Sequence, residues 1–219
     1  LDKVAPVRLG SALMAAEQAA TWQQRLLEAL TAFHQQHPEV PGVGRDRLRR
    51  VALPHQPPAP VIALIARLPS QGQLQHRQGW LHLPDFEPRF NPQEEVLWQQ
   101  VDPLFGDQPL WVRDIALTTQ QDEETMRSLL LTAARLGHIT AIVRDRYYRS
   151  AQIQIFADLI RQRAAAGGST SAADFRNQLG TGRKVAVQIL EFFDRSGFTR
   201  RRGNDHLLRD ARLFIPSAA

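Results

Sequence analysis

Two short stretches in the last third of the chain carry the residues best suited to hold an anion: Thr181-Gly182-Arg183-Lys184 and Arg200-Arg201-Arg202-Gly203-Asn204-Asp205-His206. The first opens a segment of helical period, where unpaired backbone N–H groups and the positive end of the helix dipole already favour a phosphate. Arg183 and Lys184 add their charge to that pull. The second reads as a tight hairpin whose arginines reach phosphates and whose Asn204 and His206 are placed to touch a sugar or a base. Between the two stretches, Lys184, Gln188, Glu191 and Arg195 recur at intervals of four, three and four, a polar stripe set against apolar Ala186, Ile189, Leu190 and Phe193. The stripe offers Gln188 to a base or sugar. Arg176, one helix earlier, completes a cradle for a polyanion.

The formal net charge of +5 is distributed in keeping with that cradle. Residues 1–150 hold sixteen Lys or Arg and sixteen Asp or Glu, whereas residues 151–219 hold eleven and six, so the excess lies in the last third. Positive charge concentrated on one part of a chain is the electrostatic footprint of nucleic-acid binding; an evenly solvated surface is the plainer alternative.

The elements that must position these residues occur three times. Apolar helical stretches end at Gly72, Gly137 and Gly197, 65 and 60 residues apart, and each continues into a strand-like segment that turns back near Gln78-Gly79, Arg144-Asp145 or Gly203-Asn204. Upstream of each glycine the periodicity predicts a long helix, a short helix and the helix that ends at the glycine. The expected spans are 21–37, 45–51 and 59–68; 92–105, 111–117 and 122–136; and 151–165, 172–179 and 183–195. Helix, helix, turn, helix, glycine cap and hairpin make a winged helix-turn-helix. The expected fold is therefore mainly α with small β wings (α+β), a tandem array of three winged-helix domains at 21–88, 89–149 and 150–219. Residues 1–20, which open without a methionine, read as the end of a preceding winged-helix domain or a linker. A unit of about 60 residues buries only about 60% of its unfolded surface, so each copy is expected to lean on a neighbour.

The other two copies act as internal controls, because they share the plan and need not share the surface. The presenting helix of the first opens Pro57-Pro58-Ala59-Pro60-Val61-Ile62 and has no charge before Arg67, which marks it as structural. The second opens with Asp122-Glu123-Glu124, which suits the helix dipole and repels a phosphate. Its wing, Arg144-Asp145-Arg146-Tyr147-Tyr148-Arg149, interleaves cations with aromatics, the pattern of a secondary RNA contact by stacking or of an ordinary strand packed under the chain.

Several classes are disfavoured. No apolar run approaches the length needed to span a bilayer, nothing resembles a signal peptide, and cysteine is absent, so disulfides and thiolate-held zinc are ruled out and a cytoplasmic protein is expected. Gly180-Thr181-Gly182-Arg183-Lys184-Val185 lacks the spacing and hydroxyl of a phosphate-binding loop, and the seven histidines show no metal-ligand spacing. No enzymatic activity, cofactor or metal is expected. With one basic copy and no heptad seam, a monomer with a single-site ligand is favoured over a winged-helix DNA-binding transcription regulator or a protein-interaction scaffold.

The run from Gly182 to Asn204, Gly-Arg-Lys-Val-Ala-Val-Gln-Ile-Leu-Glu-Phe-Phe-Asp-Arg-Ser-Gly-Phe-Thr-Arg-Arg-Arg-Gly-Asn, closely resembles the last winged helix of the bacterial selenocysteine-specific elongation factors. Nearly the whole chain is similar to the C-terminal region of that family. The resemblance implies a protein whose GTP-binding and selenocysteyl-tRNA-binding part is not in this sequence. It also implies that the last winged helix holds the selenocysteine insertion sequence, an mRNA hairpin beside a UGA codon, while the factor acts on the ribosome. The family's gripping turn falls on Thr181, Gly182, Arg183 and Lys184, and its basic wing on Arg200, Arg201, Arg202, Gly203 and Asn204.

Overall fold

A computed structural model describes residues 6–9, 12–77 and 79–215. Leu1 to Ala5, Gly10, Ser11, Gln78 and Pro216 to Ala219, on which parts of the readings of the N-terminal segment, the first wing turn and the tail fall, lie outside the described residues. Two compact units are present, Leu1–Asn91 and Pro92–Ala219.

In the first unit a strand pair, β1 (Val7–Leu9) and β2 (Ala12–Met14), precedes α1 (Ala16–Gln36), α2 (Arg45–Ala52), α3 (Pro58–Arg67), β3 (Gln75–Arg77) and β4 (Trp80–His82). The long helix thus starts at Ala16, five residues before the expected Thr21. Leu9 and Met14 explain the extension, since both are buried with Trp22, Leu26, Leu30, Leu64 and Ile65 in one core. Pro69 cannot continue α3, and a short 3₁₀ turn carries the chain to Gly72, whose φ of 70° favours glycine. At the C-terminal end of α1, His34 is buried against Phe86 with ring centroids 3.5 Å apart. Burial, with a smaller push from His82, lowers its pKa to about 4, so the neutral ring is the folded form.

The second unit holds two further copies of the plan. α4 (Pro92–Val101), β5 (Leu110–Trp111), α5 (Val112–Thr119), α6 (Glu123–Arg135), β6 (Ile139–Val143) and β7 (Arg146–Arg149) form the second winged helix. The third consists of α7 (Ser150–Ala165), β8 (Thr170–Ser171), α8 (Ala172–Leu179), α9 (Arg183–Ser196), β9 (Thr199–Arg202) and β10 (Asp205–Leu208). Each has a three-stranded antiparallel sheet, in the orders β5-β7-β6 and β8-β10-β9; in the first copy the third strand is reduced to a single bridge, Val43 to Leu81. Gly137 and Gly197 end α6 and α9 at φ 86° and 81°.

The core of the third copy continues into the second. Ile142 and Tyr148 are buried together with Ile153, Phe156, Ile160, Ile189, Leu190, Phe193 and Phe198. α9 is therefore packed from two sides, by its own wing and by the wing of the preceding copy. Phe214, in the tail, caps this core with its ring 5.3 Å from Phe193 and 5.5 Å from Phe198.

Candidate nucleic-acid interface

α9 owes its direction to Ala186, Ile189, Leu190 and Phe193, which are fully buried and fix one face inward. Its first turn is open. Gly182 is the N-cap and no side chain caps the backbone N–H groups, whereas α6 is capped by Asp122, which accepts from the Thr125 N–H at 2.9 Å. An uncapped, exposed helix start leaves donors for an external anion.

A cleft of about 390 Å³ lies between the start of α8, the outer face of α9 and the wing, lined by Arg176, Arg183, Val187, Glu191, Arg201, Asn204 and His206 together with Ser171, Ala172 and Ala173. The structure thus brings together five of the residues expected from sequence: Arg176, Arg183, Arg201, Asn204 and His206. Wing register explains the selection. Arg201 pairs with His206 across β9 and β10, so both side chains share the cleft face, while Arg200 and Arg202 pair with Leu207 and Asp205 on the other face. Arg183, Arg200, Arg201 and Arg202 are exposed and form no ion pair among the described residues. Arg201 donates from Nε to the Gly203 carbonyl at 2.9 Å, and Arg176 donates to Asn177 Oδ1 at 3.0 and 2.6 Å, so both are aimed while keeping further donors.

Three placements differ from the sequence expectations. The polar stripe of Lys184, Gln188, Glu191 and Arg195 is split: of its members only Glu191 looks into the cleft, in line with Arg183 and Val187 at intervals of four. The second winged helix is the cause. Gln188 Oε1 accepts from Arg146 Nη1 at 2.6 Å and Arg195 Nη2 donates to the Ile142 carbonyl at 2.5 Å, which turns these two members of the stripe into an internal contact. Gln188 is therefore a structural residue, and Lys184 stays exposed at the helix start. His206 lines the cleft yet is only 6% exposed. Its Nδ1 sits 2.8 Å from Asp194 Oδ2 without the alignment of a hydrogen bond, and the other oxygen of that carboxylate accepts from Thr199 at 2.7 Å, so Asp194 ties the end of α9 to β9 and stands against β10. Thr181 is half-buried and donates, at a long 3.5 Å, to Gln108.

The secondary set on the second wing is mostly taken up by packing. Tyr147 and Tyr148 are 3% and 1% exposed, and burial pushes the Tyr148 phenol up to about 12. Tyr148 stands edge-on to Phe156 at 5.2 Å. Neither ring can stack on a base. Arg146 lies 4.8 Å over the Trp111 ring, besides its bond to Gln188. Arg149 binds Asp102 Oδ1 at 2.7 Å and two backbone carbonyls, of Asp102 and Phe105, at 2.6 and 3.1 Å. Only Arg144 of the five remains outward, with 93% of its side chain exposed.

The fold and this cleft define a tandem winged-helix protein with a basic groove on its last member. Three family models match it: "Elongation factor SelB, winged helix" over residues 27–83 and again over 162–208, and "Selenocysteine-specific elongation factor, winged helix domain" over 90–148. The chain is 53% identical over 208 residues to the selenocysteine-specific elongation factor of Escherichia coli K12, covering 95% of this chain and 34% of that protein. It is 40% identical over 194 residues to the factor of the same name from Haemophilus influenzae Rd, covering 87% and 31%. The mRNA-binding domain of Escherichia coli SelB, solved in complex with SECIS RNA, shares 60% identity at a TM-score of 0.53, covering 55% of this chain and all of that one. The chain belongs to the SelB family of selenocysteine-specific elongation factors. It spans about a third of the length of the curated relatives it matches.

Proposed function

We propose that the chain is the message-binding arm of a selenocysteine-specific elongation factor, holding the insertion-sequence hairpin in the cleft of its third winged helix while a GTP-binding part outside this sequence delivers selenocysteyl-tRNA to the ribosome at UGA. The arm binds and does not catalyse. The observation that carries the reading is the convergence of Arg176, Arg183, Arg201 and Asn204 on one cleft beside an uncapped helix start. Arg183, Lys184 and the Gly182-to-Lys184 backbone take one phosphate run and Arg201 a second from the cleft face of the wing, while Arg200 and Arg202 meet phosphates that pass over its other face. Between them Val187 offers an apolar wall and Glu191 a carboxylate acceptor, suited to an unpaired base that presents an amino group. The same reading places the protein in the cytoplasm.

Titration of the full chain against the insertion hairpin, the same hairpin with exchanged loop bases, and duplex DNA of equal charge, across a salt series, tests this. Tight binding of the first alone is expected, with a salt slope set by a few phosphate contacts. Equal binding of all three contradicts it. Glu191→Gln separates base reading from charge: it is expected to narrow the gap between the two hairpins without weakening the salt slope.

A further inference from the structure

The neutrality of residues 1–150 is a cancellation. Residues 1–91 hold ten Lys or Arg against seven Asp or Glu, and residues 92–150 hold six against nine. Four of the ten, Arg45, Arg47, Arg49 and Arg50, stand with the single Asp46 in the first six residues of α2; outside that helix residues 1–91 are balanced at six and six. The whole excess of the first unit thus sits on two turns of one helix. Leu48 is buried beneath them, while Arg45, Arg47 and Arg50 are exposed. None of the four forms an ion pair among the described residues. Arg47 is aimed by the Phe33 ring, 5.2 Å from its guanidinium carbon, and Arg49 Nε is buried without a hydrogen-bond partner.

Two of them, Arg45 and Arg47, line a cleft of about 570 Å³ together with Gly44, Asp46, His76 and Gly79 and residues from the end of α3. In the winged-helix plan this is the space between the second helix, the third helix and the wing, the counterpart of the cleft on the third copy. The hairpin that closes it has Arg77 opposite Trp80 on its other face, with 42% of Trp80 exposed. A cationic helix whose guanidinium groups form no ion pair among the described residues, standing at the mouth of a cleft, suits the regularly spaced phosphates of an RNA backbone.

We propose that α2 and its cleft on the first winged helix are a second RNA site, one that holds the backbone of an RNA other than the insertion hairpin. The site is distinct from the cleft of the third copy and does not depend on what that cleft reads.

The test uses the full chain, first saturated with the insertion hairpin and then titrated with a fluorescent A-form RNA duplex lacking the hairpin's loop, across a salt series. The unaltered protein binds the duplex with the hairpin still in place. Arg45→Glu, Arg47→Glu and Arg50→Glu together weaken duplex binding by more than about tenfold and lower the log–log salt slope by about 3. Hairpin affinity stays within about twofold. Replacement of the same three by Gln gives a milder loss with the same slope change in direction, and circular dichroism checks that both variants fold. The proposal is overturned by a hairpin-saturated protein that takes up no duplex, by charge-reversed protein that binds it normally, or by polyglutamate of matched charge competing as well as RNA, which would assign the surface to an acidic protein. Failure of the hairpin to bind in the first step bears on the third winged helix alone.

Discussion

The second and third winged helices share a plan down to a left-handed residue at the tip of each wing, Asp145 at φ 60° and Gly203 at φ 63°, yet they use their cations in opposite ways. In the second, Arg127 clamps Asp145 at 3.0 and 3.3 Å, Arg149 is bound to Asp102, Arg146 to Gln188, and the helix start is closed by Asp122. In the third, the helix start is open at Gly182, and Arg183, Arg200, Arg201 and Arg202 face solvent. Composition alone barely separates Arg-Asp-Arg-Tyr-Tyr-Arg from Arg-Arg-Arg-Gly-Asn. What separates them is which copy is covered by the next one: the second wing is enclosed by α7 and α9, while nothing among the described residues covers the third wing on its cleft face.

If that contrast is right, mutations on the two wings should register in different quantities. Tyr148→Ala should carry the largest cost, about 3–5 kcal/mol of unfolding free energy by denaturant titration, because an aromatic ring leaves a shared core. Hairpin affinity of the protein that remains folded should be unchanged, and a loss of affinity without a loss of stability would return this ring to the RNA. Arg149→Ala should cost about 1–3 kcal/mol of stability, since it strands the Asp102 carboxylate and two carbonyls, again with no change in hairpin affinity. Asp194→Ala moves the effect to the third wing: loss of the carboxylate that accepts from Thr199 and stands against His206 should cost about 1–2 kcal/mol and weaken the hairpin roughly fivefold through a misplaced Arg201. An affinity unaltered by Asp194→Ala would show that the wing holds its position without that carboxylate.

Much of this architecture was legible in the sequence because its signals are local. Glycines at 72, 137 and 197 close the presenting helices or the turn that follows them, apolar periodicity locates the nine α-helices among the described residues to within about five residues, and the second and third wing tips fall at their turn signals. Arg176, Arg183, Arg201 and Asn204 were legible for the same reason, as cations and turn residues at fixed offsets from α9. What periodicity cannot show is what lies against a polar face. Gln188 sits on a stripe that looks free until Arg146 from 42 residues earlier is laid over it. Tyr147 and Tyr148 look like a stacking platform until Tyr148 is packed on Phe156 of α7 and Tyr147 is buried on the opposite face of the strand. The basic turns of α2 escaped notice because an acidic second copy cancels their charge in any sum over both.

One measurement bears most directly on the contrast: charge reversal at matched wing arginines, Arg201→Glu and Arg144→Glu, each in the full chain and each titrated with the insertion hairpin across a salt series. Both side chains are exposed, so neither change should disturb the fold. Arg201→Glu is expected to weaken binding by roughly tenfold to a hundredfold and to lower the salt slope by about 1, while Arg144→Glu stays within about twofold. Equal losses at the two positions, or a larger one at Arg144, would contradict the assignment of RNA binding to the third winged helix.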